Sequence, residues 1–278
     1  MPYSAEISRA NPSVFMFLID QSGSMVEPIA GSENKRKCDS VADAINRLLH
    51  NLIIKCARGD GVRNFYEVCV IGYGATVAPA FSGPLAGRDL VPLSEVASSP
   101  ARIEERVRKV DDGSGGIIEQ KVKFPIWFEP VAKGITPMGT ALNMACKILR
   151  EWVSRHMASY PPIVINISDG EATDSGPVPQ AQELTSLATD DGNVLLLNCH
   201  ISSQPVQPII FPETDADLPD EFAKTLFSIS SVLPASMREL ALAEGFNLGP
   251  EARGFAFNAD LVELIRFLDI GTRGSNLR

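Results

Sequence analysis

Apolar residues in this chain come in short unbroken runs and in helical spacings, and the two alternate. Val14 to Ile19 is continuously apolar, the pattern of a strand covered on both faces of a parallel sheet. Tyr66–Tyr73, Ile163–Ile167, Val194–Cys199 and Gly254–Phe257 read as further core strands, and Thr76–Phe81 as a short antiparallel edge strand. Between them, Val41, Ile45, Leu48, Leu49, Leu52 and Ile53 recur at helical spacing, as do Leu142, Ala145, Ile148, Leu149, Trp152 and Val153. Helices are also predicted at Gln180–Ala188, near Asp220–Phe227, at Ala235–Ala243 and at Ala259–Leu268, the last packing through Leu261, Ile265 and Leu268. Strands alternating with helices predict an α/β fold, a doubly wound and mostly parallel sheet with helices on both faces.

Breaker residues divide these elements. Ser40 with Asp43 resembles a capping arrangement at a helix start, and Gly59 and Gly61 follow that helix. Thr136-Pro137 is a second helix start, with proline suited to the first helical position. Residues 82–130 are less regular: Ala101–Val110 is a short charged helix candidate, Asp111–Gly116 a turn, and Gln120–Phe128 an edge strand or hairpin. The segment holds too few large apolar residues for a core of its own. The expectation is therefore one domain over 1–278, its core at about 13–268, with an insertion at about 82–130 and a Pro-rich loop at about 202–219.

Chemistry enters where the strands stop. After Ile19, side-chain oxygens fall at alternate positions, Asp20, Ser22 and Ser24, with Gly23 permitting a tight turn. The strand at 163–167 runs into Ser168-Asp169-Gly170, again ending in a carboxylate. In an open parallel sheet, ligands bind beyond the carboxyl ends of the strands, and right-handed crossovers put those ends on one edge. Thr136 opens the helix leading into the Asp169 strand, so its hydroxyl belongs to that edge too. A set of oxygens of this kind suits a hard cation.

Together, Asp-x-Ser-x-Ser at Asp20, Ser22 and Ser24, Thr136 in a Gly-x-Thr-Pro-x-Gly context, and Ser-Asp-Gly at Asp169 resemble the metal-ion-dependent adhesion site of von Willebrand factor A domains. The resemblance spans the αβ skeleton from about Ser13 to Leu268. It implies a six-stranded doubly wound sheet with one antiparallel edge strand, and a Mg²⁺ or Mn²⁺ ion held by Asp20, Ser22, Ser24, Thr136 and Asp169. It also implies a protein partner whose Asp or Glu completes the coordination. Stand-alone bacterial A-domain proteins of similar layout occur in tellurite-resistance-associated and kinase–phosphatase gene sets, and others act beside AAA+ ATPases. A regulatory or assembly subunit of an intracellular complex is the matching expectation. The positive end of the helix after Thr136 should favour the incoming anion. Glu171, Asp174 and Glu27 read as solvated loop acids.

Composition narrows the alternatives. A net charge of −9 argues against nucleic acid and against an anionic membrane surface as partners. The five cysteines lack Cys-x-x-Cys spacing, and no signal peptide or apolar run of membrane-spanning length is visible; a cytoplasmic setting with free thiols is expected. The three histidines lack zinc spacing. Gly72-x-Gly74 lacks the remainder of a dinucleotide fingerprint and reads as a strand bend. The second reading is an enzyme, Mg²⁺-dependent phosphoryl transfer or hydrolysis with Asp20 as nucleophile. Against it, Ser22 stands where a haloacid-dehalogenase-like phosphatase has a second aspartate, and no general base is apparent.

Overall fold

Every residue of the Ser13–Asp20 run is buried, and the sheet is built around it. The computed structural model describes residues 2–30, 34–111, 117–174, 176–201 and 207–272, without the side chains of 108–118, 261 and 272. In chain order the elements are β1 (Ser13–Asp20), α1 (Lys37–Cys56), β2 (Tyr66–Tyr73), β3 (Val77–Pro79), β4 (Val91–Pro92) and α2 (Leu93–Ser98). There follow β5 (Arg102–Asp111), β6 (Ile117–Ile126), α3 (Met138–Arg155), β7 (Ile163–Ser168), α4 (Val178–Ser186) and β8 (Leu195–Ile201). The chain closes with β9 (Ile209–Ile210), α5 (Glu221–Ile229), α6 (Ala235–Ala243), β10 (Phe255–Ala259) and α7 (Leu261–Thr272).

The main sheet runs β9-β10-β8-β7-β1-β2-β3, with β4 also paired to β2. Strand β1 lies parallel to both β2 and β7, β8 is parallel to β7 and β10, and β3, β4 and β9 attach antiparallel. The sheet therefore has eight strands rather than six. The two extra ones, β4 and β9, are two-residue pairings, too short to leave a period in the sequence. Because β2 lies on one side of β1 and β7 on the other, strand order reverses beside β1, and a crevice opens there at the carboxyl ends.

Alternation along β1 splits the core in two. Phe15, Phe17 and Ile19 pack with buried residues of α1, α6 and α7; Val14, Met16 and Leu18 pack with those of α3, α4 and α5. Each such side chain removed from water contributes roughly 1.5–3 kcal/mol. Polar residues within the buried strands are satisfied laterally. Tyr73 donates to Asn166 Oδ1 (2.7 Å), Asn166 to Asn198 Oδ1 (3.0 Å) and Asn198 to Ser230 Oγ (2.9 Å), a chain that crosses the sheet from β2 to the end of α5.

Several boundaries move. The charged stretch 101–110 is the strand β5, not a helix; it pairs antiparallel with β6 over ten residues a side. Arg102, Glu104 and Arg106 share one face of that ribbon and pair with Glu129, with each other and with Asp43 of α1, a non-local arrangement that outweighs local helix propensity. Asp43 is thus an ion-pair partner of Arg106 and Arg47, while α1 begins three residues before Ser40. In α7 the buried residues are Leu264, Phe267, Leu268 and Ile270, whereas Ile265 is 37% exposed; the packing face is rotated from the expected one, and the Leu261 side chain lies outside the described residues. Pro137 is the N-cap of α3 and not its first residue. Most of the turn expected at 111–116, Gly31, and 202–206 of the Pro-rich loop lie outside the described residues.

No helix among the described residues is long and apolar enough to cross a membrane. All five cysteines are free and buried.

Candidate metal centre

Asp20 ends β1 opposite Tyr73 of β2, and Asp169 follows the last residue of β7, so parallel pairing alone brings the two strand ends side by side. Three backbone clasps bring in the rest. Lys133 N–H donates to the Gln21 carbonyl (2.6 Å), Gly23 N–H to the Gly134 carbonyl (3.0 Å) and Ala75 N–H to the Lys133 carbonyl (2.8 Å). Gly134 has φ +100°, and a Cβ there would lie 2.3 Å from Ala75 N; only glycine fits. Gly74 is held equally close, since a Cβ would sit 2.6 Å from the Lys133 carbonyl oxygen. Gly72 likewise gives way to the Gln21 side chain, so both glycines mark close approach, and Gly74 also opens the bend at 74–76 that turns β2 into β3. Thr136 is tied to the 169–174 loop, its N–H donating to Thr173 Oγ1 (3.0 Å) and its carbonyl accepting from Thr173 N–H (2.9 Å).

The oxygens form a connected set. Ser22 Oγ lies 3.0 Å from Ser24 Oγ, and Ser24 donates to Asp169 Oδ1 at 2.7 Å. Asp20 is fully buried. Its two oxygens accept from Ser22 N–H (2.8 Å) and Ser168 Oγ (2.7 Å). Burial, only partly offset by those bonds, pushes its carboxyl up to about 6. Thr136 Oγ1 has no hydrogen-bond partner among the described residues, although the residue is only 6% exposed. Of the five expected ligands, Asp20, Ser22, Ser24 and Asp169 are thereby joined through hydrogen bonds, and Thr136 stands on the neighbouring loop.

The donor set fits a small divalent cation. Adjacent oxygens of an octahedral Mg²⁺ site with ordinary bond lengths are about 2.9 Å apart, and the Ser22–Ser24–Asp169 spacings of 3.0 and 2.7 Å bracket that value. Among the described residues no group of three or more His, Cys, Asp or Glu side chains could hold a metal; hydroxyls supply the difference here, which favours a hard ion over zinc.

Lys37 and Asp174 alter the electrostatics; the sequence reading passed over Lys37 and took Asp174 for a solvated loop acid. Lys37, the first residue of α1, is buried with its side chain 4% exposed. It donates to Asp169 Oδ2 and to Glu27 Oε2, each at 2.9 Å. Glu27, half exposed, is therefore an ion-pair partner and not merely a solvated acid. A buried lysine at a helix N-terminus opposes the helix dipole, and no sequence signal marked it, because both its burial and the helix start at Lys37 are set by tertiary contacts. Asp174 accepts from the N–H groups of Gly139 (3.1 Å) and Thr140 (2.8 Å) and from Thr140 Oγ1 (3.0 Å). It thus caps α3, and the positive end of that helix is already engaged by an internal anion. Glu171 stays exposed beside the site.

No family model matches the sequence, and no curated protein matches it. Solved structures similar to this chain include the ArnB paralog VWA2 from Sulfolobus acidocaldarius, at 14% identity and TM-score 0.34, over 70% of this chain and 36% of that one. The vWF domain of the type V pili tip protein Mfa5 from Porphyromonas gingivalis aligns at 17% identity and TM-score 0.31, over 58% of this chain and 39% of that one. The PilB minor pilin from Streptococcus sanguinis aligns at 10% identity and TM-score 0.45, over 94% and 61%. The chain thus spans less than two thirds of each of these proteins. With every TM-score below 0.5, the site's chemistry must be argued from this chain's own residues.

Proposed function

We propose that the protein is a von Willebrand factor A-type, metal-dependent protein-binding module, in which Asp20, Ser22, Ser24, Thr136 and Asp169 hold Mg²⁺ or Mn²⁺ and the ion captures an Asp or Glu of a partner. The observation that carries this reading is the hydroxyl–hydroxyl–carboxylate chain Ser22–Ser24–Asp169, whose two successive spacings suit neighbouring ligands of an octahedral ion. Three of the five ligands are neutral hydroxyls, and an incoming carboxylate gains a charge-assisted contact with the hard ion. Val26 and Ile135, 52% and 60% exposed on the loops that carry Ser24 and Thr136, add an apolar rim suited to a protein surface.

The burial of Asp20 weighs against the enzyme reading. A nucleophilic carboxylate must reach its electrophile, whereas Asp20 is fully buried and both of its oxygens are engaged inside the protein. Free, buried thiols suit a reducing compartment, in line with a cytoplasmic regulatory or assembly subunit of the tellurite-resistance-associated, kinase–phosphatase or AAA+ type.

Calorimetric titration with Mg²⁺ and Mn²⁺ tests the metal step: one site is expected, lost in Ser24→Ala and Thr136→Ala with the circular dichroism unchanged. Water-proton relaxation of the Mn²⁺-loaded protein tests the capture step. Acetate should lower the enhancement by displacing bound water. Absence of metal binding in the unsubstituted protein would sink the reading.

A further inference from the structure

The Lys37 ammonium is the least expected group at this edge. A lysine with 4% side-chain exposure has surrendered nearly all of its hydration, which is costly unless the cation is paired. Both of its observed partners are carboxylates: Asp169, whose side chain is fully buried, and Glu27, which is half exposed. The two oxygens of Asp169 are divided. Oδ1 turns to the Ser24 hydroxyl and Oδ2 to Lys37. Backbone geometry fixes the lysine in place, because Lys37 N–H donates to the Glu27 carbonyl (2.8 Å) and the Pro28–Arg36 bridge closes the loop between them.

We propose that Lys37 is a tethered counter-cation of the metal centre, one that holds Asp169 in its ligating position without a metal and opposes the divalent ion when it binds. This rests on the metal reading above. The physical consequence follows from charge placement. An ion reaching Oδ1 of Asp169 meets a carboxylate already paired through Oδ2 with a fixed positive charge, within a poorly hydrated pocket where charges are weakly screened. The ion is therefore bound more loosely than the five ligands alone would bind it. It exchanges readily and keeps more of its charge for an external carboxylate. Without metal, the same ammonium prevents Asp169 from being a buried anion with no counter-charge.

The test is Mn²⁺ titration, followed by electron paramagnetic resonance of the free ion, on the full chain and on Lys37→Gln, Lys37→Met and Lys37→Arg. Lys37→Gln and Lys37→Met should bind Mn²⁺ roughly tenfold or more tighter, from the loss of one nearby like charge, and Lys37→Arg should stay near the unsubstituted affinity. Thermal melting in EDTA gives a second readout: the two neutral variants melt lower than the unsubstituted protein, and Mn²⁺ raises their melting temperature more than it raises that of the parent. Lys37→Gln keeps an amide donor for Asp169, and so guards against misfolding of Lys37→Met. Unchanged or weaker affinity in folded Lys37→Gln overturns the role of Lys37 while leaving the metal reading intact. Absence of Mn²⁺ binding to all four proteins overturns both.

Discussion

The loop cluster beyond β1 and the β5–β6 hairpin both project from the same sheet-based core, yet they are held by different physics. Around Asp20 the backbone is clasped at three points, two glycines admit close approach, and the carboxylates are buried with their oxygens engaged. The hairpin has a ten-residue ladder of its own, one face anchored by Phe124, Ile126 and charged pairs, and the other exposed at Ile103 and Val107. Buried polar groups have one workable arrangement and fail badly when disturbed. A half-solvated ribbon with surface ion pairs tolerates change. Precision is concentrated at the edge where an ion would have to be gripped.

Substitutions can break or sharpen this contrast. Gly134→Val is expected to do most damage: it forces a β-branched residue to φ +100° and against Ala75, costing about 3 kcal/mol or more, visible in chemical denaturation together with lost metal binding. Phe124→Ala should cost about 3 kcal/mol, because Phe124 is buried between His50 and the Arg106 guanidinium, 3.7 Å from the ring centroid; its Mn²⁺ affinity should equal that of the parent. If affinity falls with it, the two regions are coupled and the comparison fails.

A smaller effect concerns pH. Burial lowers the His200 imidazole to about 4, where it stacks on Phe257 with ring centroids 4.7 Å apart. The unfolded chain then binds a proton at this site that the native state refuses between about pH 6.5 and 4, so the His200 contribution to stability is lost as pH drops through that window. Asp20, raised to about 6, takes up its proton first in the native state and opposes that slope over nearly the same window; the His200 part is therefore read as a difference, with the metal-free melting temperature of the parent falling relative to that of His200→Gln on acidification. Smallest of all, Val107→Thr on the open face of the hairpin should stay within about 0.5 kcal/mol of the parent.

Much of this was legible from residues alone, and the failures share a cause. The unbroken run 14–19 and the β-branched run 163–167 identify core strands because burial on both faces leaves no room for alternation. Ala235–Ala243 is a helix over the expected residues. The stretch 102–110 misled because Ile103 and Val107 are four residues apart, a helical spacing, while the partner that makes them a strand lies beyond the next turn. The start of α1 was displaced because Ser40 and Asp43 satisfy the local capping pattern, whereas helical bonding already begins with Ser40 N–H donating to the Arg36 carbonyl (3.0 Å), and Lys37 N–H is held by the Glu27 carbonyl (2.8 Å).

For the candidate site the division is similar. Asp20, Ser22 and Ser24 could be proposed from one turn because their spacing is local, Asp169 because strand ends must share an edge, and Thr136 because it opens the helix that leads into the Asp169 strand. What the sequence determined by itself was therefore the strand–helix order outside 82–130 and the two apolar layers, and it offered the five oxygens as candidates. Only the tertiary structure decided that Ser168 fixes Asp20, that Asp174 occupies the head of α3, and that a buried ammonium stands behind Asp169. Those are contacts between side chains brought together by folding, whose energies depend on burial and distance, and neither quantity is written in the order of the residues.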